Sequence, residues 1–169
     1  MCAAALARSR HRRIAHAQSS GEPFIDKQNC KVFTGNMRVQ VKATSLYTYP
    51  DVTVVCGKVE FAKGRNDTIS NPTLIVKVLS ESTKNYDRSR KFDLYRALKS
   101  LQAYVPIDQN QMQVQYFRRL KDGTWELEEY TQPRDKVKIH ALDMALSLAA
   151  LYRKVDWAQP TAKPKRASK

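Results

Sequence analysis

The chain has 169 residues, of which 42% are hydrophobic and 27% charged, and a formal net charge of +14. A chain of this length can bury ~68–70% of its unfolded surface, enough for one real core and not two. No apolar run approaches the ~20 residues that cross a bilayer, so the composition argues against a membrane protein. The charge attracts polyanions. Eight of the cations (Arg8, Arg10, Arg12, Arg13, Lys163, Lys165, Arg166 and Lys169) sit in the two terminal segments, which leaves +6 between them (14 − 8), a bias consistent with nucleic acid without demanding it.

Taken in chain order, the opening Met1-Cys2-Ala3-Ala4-Ala5-Leu6-Ala7 precedes the arginines and is too short for a signal h-region, so the N-terminus reads as untargeted and the protein as cytoplasmic. Residues 3–18 have helical composition, ended by Gln18-Ser19-Ser20-Gly21-Glu22-Pro23. Lys31-Val32-Phe33 and the alternating Met37-Arg38-Val39-Gln40-Val41-Lys42 flank Thr34-Gly35-Asn36, which predicts two short strands in a hairpin or one bulged strand. Asp51-Val52-Thr53-Val54-Val55-Cys56, entered through Tyr49-Pro50, is too apolar for a solvated face and reads as a central strand. Residues 57–72 read as a long connection. Leu74-Ile75-Val76-Lys77-Val78-Leu79 is a second buried strand, with one lysine in its middle as the main anomaly.

The spacing of Phe92, Leu94, Tyr95 and Leu98 predicts a helix over residues 86–98, with Ser82, Thr83 or Asn85 as N-cap. Ala103-Tyr104-Val105-Pro106-Ile107-Asp108 reads as a strand whose proline points to an edge or an irregularity. Lys121-Asp122-Gly123 between two alternating runs, 112–119 and 124–130, predicts a hairpin. Leu142, Ala145, Leu148, Ala149 and Tyr152 predict a closing amphipathic helix over residues 141–154, and residues 158–169 form a basic Pro/Ala/Lys tail. The three cysteines, Cys2, Cys30 and Cys56, include no Cys-x-x-Cys pair. Free thiols in a reducing compartment follow, with Cys30 and Cys56 as small core hydrophobes. Trp125 and the tyrosines fit core or sheet-face packing better than base stacking, and His11, His16 and His140 share no ligand spacing.

Three features converge on chemistry: Asp51 after a proline at a strand start, a second buried strand nearby, and a following helix with Asp87 and Lys91 at i,i+4. Metal-dependent phosphodiester hydrolysis wants carboxylates from adjacent strands around Mg²⁺ and a lysine beside the attacking water. Asp51 alone would pass for a turn aspartate, and Asp87 with Lys91 for a surface pair. However, Cys30-Lys31-Val32-Phe33, Met37-Arg38-Val39, Tyr49-Pro50-Asp51-Val52, Asn71-Pro72, residues 74–80, Ser82-Thr83, Asp87-Arg88, Lys91-Phe92, Tyr95-Arg96, Ser100-Leu101, Tyr104-Val105, Asp108-Gln109, Gly123, Trp125 and residues 148–152 follow in an order that resembles the Uma2 family of restriction-type endonucleases. The likeness covers residues 29–157, with 1–28 as a basic arm and 158–169 as a tail.

The resemblance implies an α/β fold with a PD-(D/E)XK core, a mixed β-sheet flanked by helices. It also implies Mg²⁺- or Mn²⁺-dependent cleavage of DNA, and a homodimer of the kind common among restriction enzymes. Carried over by position, Asp51 is the metal-binding carboxylate and Lys91 the lysine that aligns water or phosphate. Lys77 stands where the family has a glutamate. An ammonium beside Asp51 would compete with the metal, so Lys77 either snorkels to an open edge or marks a site that has lost its ion. Glu81, about 13 Å further along the strand, is a poor substitute. Residues 1–21 carry no acid at all. Three functions stay open: an endonuclease impaired by Lys77, an inactive nuclease-fold remnant that at most binds nucleic acid, and an unrelated basic binding protein.

Overall fold

The structure is a computed structural model that describes residues 29–80 and 90–155. The N-terminal helix, the helix N-cap candidates, Glu81, Asp87, His11, His16 and the basic tail all lie outside the described residues.

Six strands make the main sheet: β1 (Cys30–Thr34), β4 (Val52–Cys56), β6 (Leu74–Leu79), β7 (Ala103–Asp108), β8 (Val114–Arg119) and β9 (Trp125–Tyr130), in the spatial order β1-β4-β6-β7-β8-β9. All neighbours are antiparallel except β6 and β7, which run parallel and are joined through α1 (Lys91–Tyr95). The apolar runs predicted to be buried strands are β4 and β6, and they pair directly, Val52 opposite Val76 and Val54 opposite Leu74. A smaller three-stranded sheet is ordered β3-β2-β5, from β3 (Leu46–Thr48), β2 (Arg38–Val41) and β5 (Thr68–Ile69).

Strand alternation divides the core between the two faces of the main sheet. On one face Val52, Val54, Leu74, Val76, Val105 and Tyr116 pack against the hairpin of β10 (Lys136–Ile139) and β11 (Met144–Ser147) and against α2 (Leu148–Tyr152). On the other, Ile75 and Tyr104 pack under Phe92, Tyr95, Leu98 and Leu101, together with Val39 and Val41 of the small sheet. Each fully buried side chain of this size contributes about 1.5–3 kcal/mol. Among the described residues no helix is long and apolar enough to cross a membrane.

Four expectations need correction. First, β1 and β2 do not form a hairpin. At the glycine turn, where Gly35 has φ +46°, the chain leaves the main sheet for the small one, and the Gly35 N–H donates to the Asp51 carbonyl (3.0 Å) instead of closing a two-stranded loop. Secondly, residues 141–154 are not one helix. A 3₁₀ turn (His140–Leu142) and a left-handed Asp143 reverse the chain so that β11 pairs with β10, Leu146 opposite Val137, and only Leu148–Tyr152 is helical.

Thirdly, of the two outcomes expected at Pro106 the edge is not found and the irregularity is: β7 is buried throughout, between β6 and β8. The proline costs it ladder continuity, since pairing with β8 stops after Tyr104 opposite Phe117 and resumes at Ile107 opposite Val114. Fourthly, Cys30 and Cys56 are not free thiols. They stand opposite each other on β1 and β4 and are joined by a disulfide. A sequence separation of 26 residues hides a register that brings the two Cα atoms to 3.9 Å, and the compartment inferred from free thiols loses that support. The Asp122-Gly123 hairpin forms as expected between β8 and β9, with Gly123 at φ +83° and Asp122 Oδ1 accepting from the Thr124 N–H (2.9 Å).

Candidate functional site

The site begins where β3 hands the chain to β4. Thr48 points inward, its hydroxyl held by the Tyr95 hydroxyl (3.1 Å), so Tyr49 turns outward, and a buried Pro50 leads into Asp51. Proline is tolerated there because a strand entrance need not supply a ladder N–H. The Asp51 main chain is fixed on both sides: its N–H donates to the Val76 carbonyl (3.2 Å) and its carbonyl accepts from Gly35 (3.0 Å).

The carboxylate reaches across to β6. Asp51 Oδ2 accepts from the Val78 N–H at 2.7 Å and from Lys77 Nζ at 2.9 Å. The side chains of Lys77 and Asp51 are 17% and 16% exposed, so the pair is shielded and its attraction is only weakly screened by salt. Lys77 therefore does not snorkel to an edge. On β6 it shares the face of Ile75, the face that α1 covers, and it lies one step beyond the Val52–Val76 pair in an antiparallel register, which sets it opposite Asp51.

The structure thus brings together two of the three residues nominated for catalysis. Lys91, the third, opens α1 and is half-buried, and the helix it begins packs over the same sheet face through Phe92 and Tyr95. Asp108, at the end of β7 on that face, is fully buried. Its Oδ1 accepts from the Asn110 N–H (2.9 Å) and its carbonyl from the Tyr152 hydroxyl (2.8 Å), so it secures the strand end. The Val78 N–H and the Gly35 N–H were not readable as site groups, because main-chain donors leave no side-chain signature.

A divalent metal fits these residues poorly. Mg²⁺ requires a near-octahedral set of oxygens and is usually held by one or two carboxylates with water and phosphate. Among the described residues no group of three His, Cys, Asp or Glu side chains could hold an ion. The oxygen that Asp51 turns toward β6 already binds an ammonium.

Packing accounts for most of the aromatic residues. Trp125 meets Phe92 edge-on (5.2 Å between ring centroids) beneath the Arg119 guanidinium (4.9 Å), Tyr95, Tyr104 and Tyr116 are fully buried, and His140 stacks on Tyr116 (6.4 Å). Tyr47, Tyr49 and Phe61 depart from that rule and are exposed, the two tyrosines on the outer side of the small sheet.

The family model for Uma2, described as "Putative restriction endonuclease", matches residues 8–150, and so takes in much of the basic arm as well as the described sheet. Two proteins of Synechocystis sp. (strain ATCC 27184 / PCC 6803 / Kazusa) are similar. The uncharacterized protein sll1609 is 32% identical over 124 residues, covering 73% of this chain and 70% of its own length. The uncharacterized protein slr1290 is 30% identical over 131 residues, covering 76% and 66%. A crystal structure described as "a putative nuclease belonging to DUF820", from Anabaena variabilis ATCC 29413, superposes with a TM-score of 0.59 at 18% identity, covering 85% of this chain and 80% of that one. At that identity the likeness concerns the fold alone, a mixed sheet with flanking helices of the restriction-endonuclease type. The family match spans most of the chain, and the chain belongs to the Uma2 family.

Proposed function

We propose that this Uma2 chain is a nuclease-fold protein that binds nucleic acid and whose Asp51 centre is held closed to divalent cations by Lys77. One observation carries the reading: Lys77 Nζ lies 2.9 Å from Asp51 Oδ2, in the space a metal bound to that oxygen would need. Two unit charges at about 4 Å interact by about 4 kcal/mol at an effective dielectric of 20, so an incoming cation meets both the loss of that attraction and repulsion from the ammonium. The family and the net charge of +14 support nucleic acid as the partner.

A second reading, DNA cleavage dependent on Mg²⁺ or Mn²⁺ with Asp51 as ligand and Lys91 at the phosphate, is favoured by the rigid placement of Asp51 at the start of β4. Plasmid nicking in Mg²⁺ or Mn²⁺ separates the two. The closed-site reading expects no metal-dependent nicking by the native chain and nicking gained by Lys77→Glu. Native nicking that Asp51→Ala abolishes overturns it, and no gain in Lys77→Glu means that more than one position has lost the chemistry.

A further inference from the structure

Alternation along β3 sends Leu46 and Thr48 inward and Tyr47 outward, and Tyr49 continues on the outer side. The two tyrosines are 49% and 53% exposed, on the same face of the small sheet as Arg38 and Gln40 of β2. Tyr47 is held in place. The Arg38 guanidinium sits 5.0 Å from its ring centroid, and Gln40 Nε2 donates to its hydroxyl at 2.6 Å. Much of the ordering that a stacking partner would otherwise impose is therefore already done.

Beside the rings, the Nε groups of Arg38 and Arg65 both donate to Thr68 Oγ1 (3.0 and 3.1 Å). Asp67 pairs with Arg65 at 2.6 Å and lies 3.9 Å from Arg38. Two guanidiniums share one carboxylate, a local surplus of positive charge. Arg38, whose guanidinium lies against the Tyr47 ring, meets Arg65 at Thr68 Oγ1, so that ring and the two cations form one cluster. A lone exposed tyrosine is ordinary. Two of them on one sheet face, with two arginines, combine the stacking surface and the backbone-tracking charge that bind single strands without reading sequence.

We infer that the outer face of the β3-β2-β5 sheet is a platform for single-stranded nucleic acid, with Tyr47 and Tyr49 stacking on bases and Arg38 and Arg65 facing phosphates. The inference rests on the nucleic-acid reading above and adds where and in what form the strand is held. Bases inside a duplex have no face to offer these rings, whereas unstacked bases do. Tyr49 is two residues from Asp51, about 7 Å along an extended chain, so a strand held on the platform is delivered to the Asp51–Lys77 centre.

Fluorescence anisotropy with labelled oligo(dT) of about twenty nucleotides, beside a duplex of the same length, tests this on the full chain. We expect oligo(dT) to bind in preference to duplex, Tyr47→Ala and Tyr49→Ala each to weaken it roughly ten- to a hundredfold, and Tyr47→Phe, which keeps the ring but loses the Gln40 hydrogen bond, to weaken it far less than Tyr47→Ala. Arg65→Ala should lower the slope of log affinity against log salt by about 0.7. Tyr47→Trp, which keeps a ring in place, should show fluorescence quenched by oligo(dT), a readout that stands if an alanine variant fails to fold. Alanine variants that bind as well as native overturn the platform while leaving nucleic-acid binding intact, as does a preference for duplex that ignores both tyrosines. Native protein that binds neither probe overturns both readings.

Discussion

Replacing Lys77 with glutamate inverts the charge at the centre of the site. In the native protein the ammonium lies 2.9 Å from Asp51 Oδ2, a gross attraction of about 6 kcal/mol at an effective dielectric of 20. Desolvation of both partners offsets most of it. Lys77→Glu removes the attraction and sets a second carboxylate opposite the first, and with both side chains about one-sixth exposed the net loss should be about 2–4 kcal/mol. For a chain of this size that lowers the melting temperature by roughly 5–15 °C. The same change creates a paired-carboxylate site, so Mg²⁺ or Mn²⁺ at a hundred times its dissociation constant should restore about 2.7 kcal/mol to the variant and nothing to the native chain. Differential scanning calorimetry with and without the metal measures both terms, with Lys77→Gln as the neutral control. A native protein stabilised by metal as much as the variant would refute the argument that Lys77 closes the site, and an unshifted melting temperature in metal-free Lys77→Glu would refute the ion pair.

The disulfide between Cys30 and Cys56 closes a separation of 26 residues, and loop-closure entropy predicts that reduction costs roughly 3–4 kcal/mol, read as a lower urea midpoint in the presence of a phosphine reductant. Tyr152→Phe removes a hydroxyl that donates toward the Asp108 and Gln113 carbonyls and accepts from the Gln113 N–H; the loss should be about 1–3 kcal/mol in urea unfolding, and a neutral result would mean that water replaces it. Burial, then the hydrogen bond to Glu128, pushes the Tyr130 phenol up to about 12. Its folded-state value lies above the unfolded value of about 10, so the stability it contributes is complete below pH ~10 and is lost as the pH rises to about 12. Alkaline unfolding of Tyr130→Phe should lack that part of the fall.

Much of the sheet was legible because its signals are local. The β8–β9 hairpin follows from Asp122-Gly123 between alternating runs, and β4 and β6 from β-branched stretches with no wet side. Partner choice was not legible. The turn at Gly35 looks like a hairpin whichever strand receives β1, and the alanines of residues 141–150 carry a helical pattern that yields to pairing with Val137 and Ile139. Of the site, Asp51 and the anomaly of Lys77 could be read, because a charge in a buried strand is conspicuous. That the lysine answers Asp51 from the neighbouring strand depends on register, which composition does not encode. The outward tyrosines escaped for a related reason: β3 is three residues long, too short for alternation to show which side is wet.

One strand carries consequences beyond its five residues. At one end of β4 the Asp51 main chain is tied to Val76 and Gly35 and its side chain to Lys77 and Val78; at the other, Cys56 is bonded covalently to β1 and its N–H donates to Thr73 Oγ1 (3.0 Å). A segment clamped at both ends cannot fray inward from either, so the amides of Val54 and Val55 should exchange only through global unfolding. β4 then acts as a strut. Freeing the covalent clamp, by reduction of the disulfide, should turn the slowest-exchanging part of the molecule into a strand that breathes from that end alone.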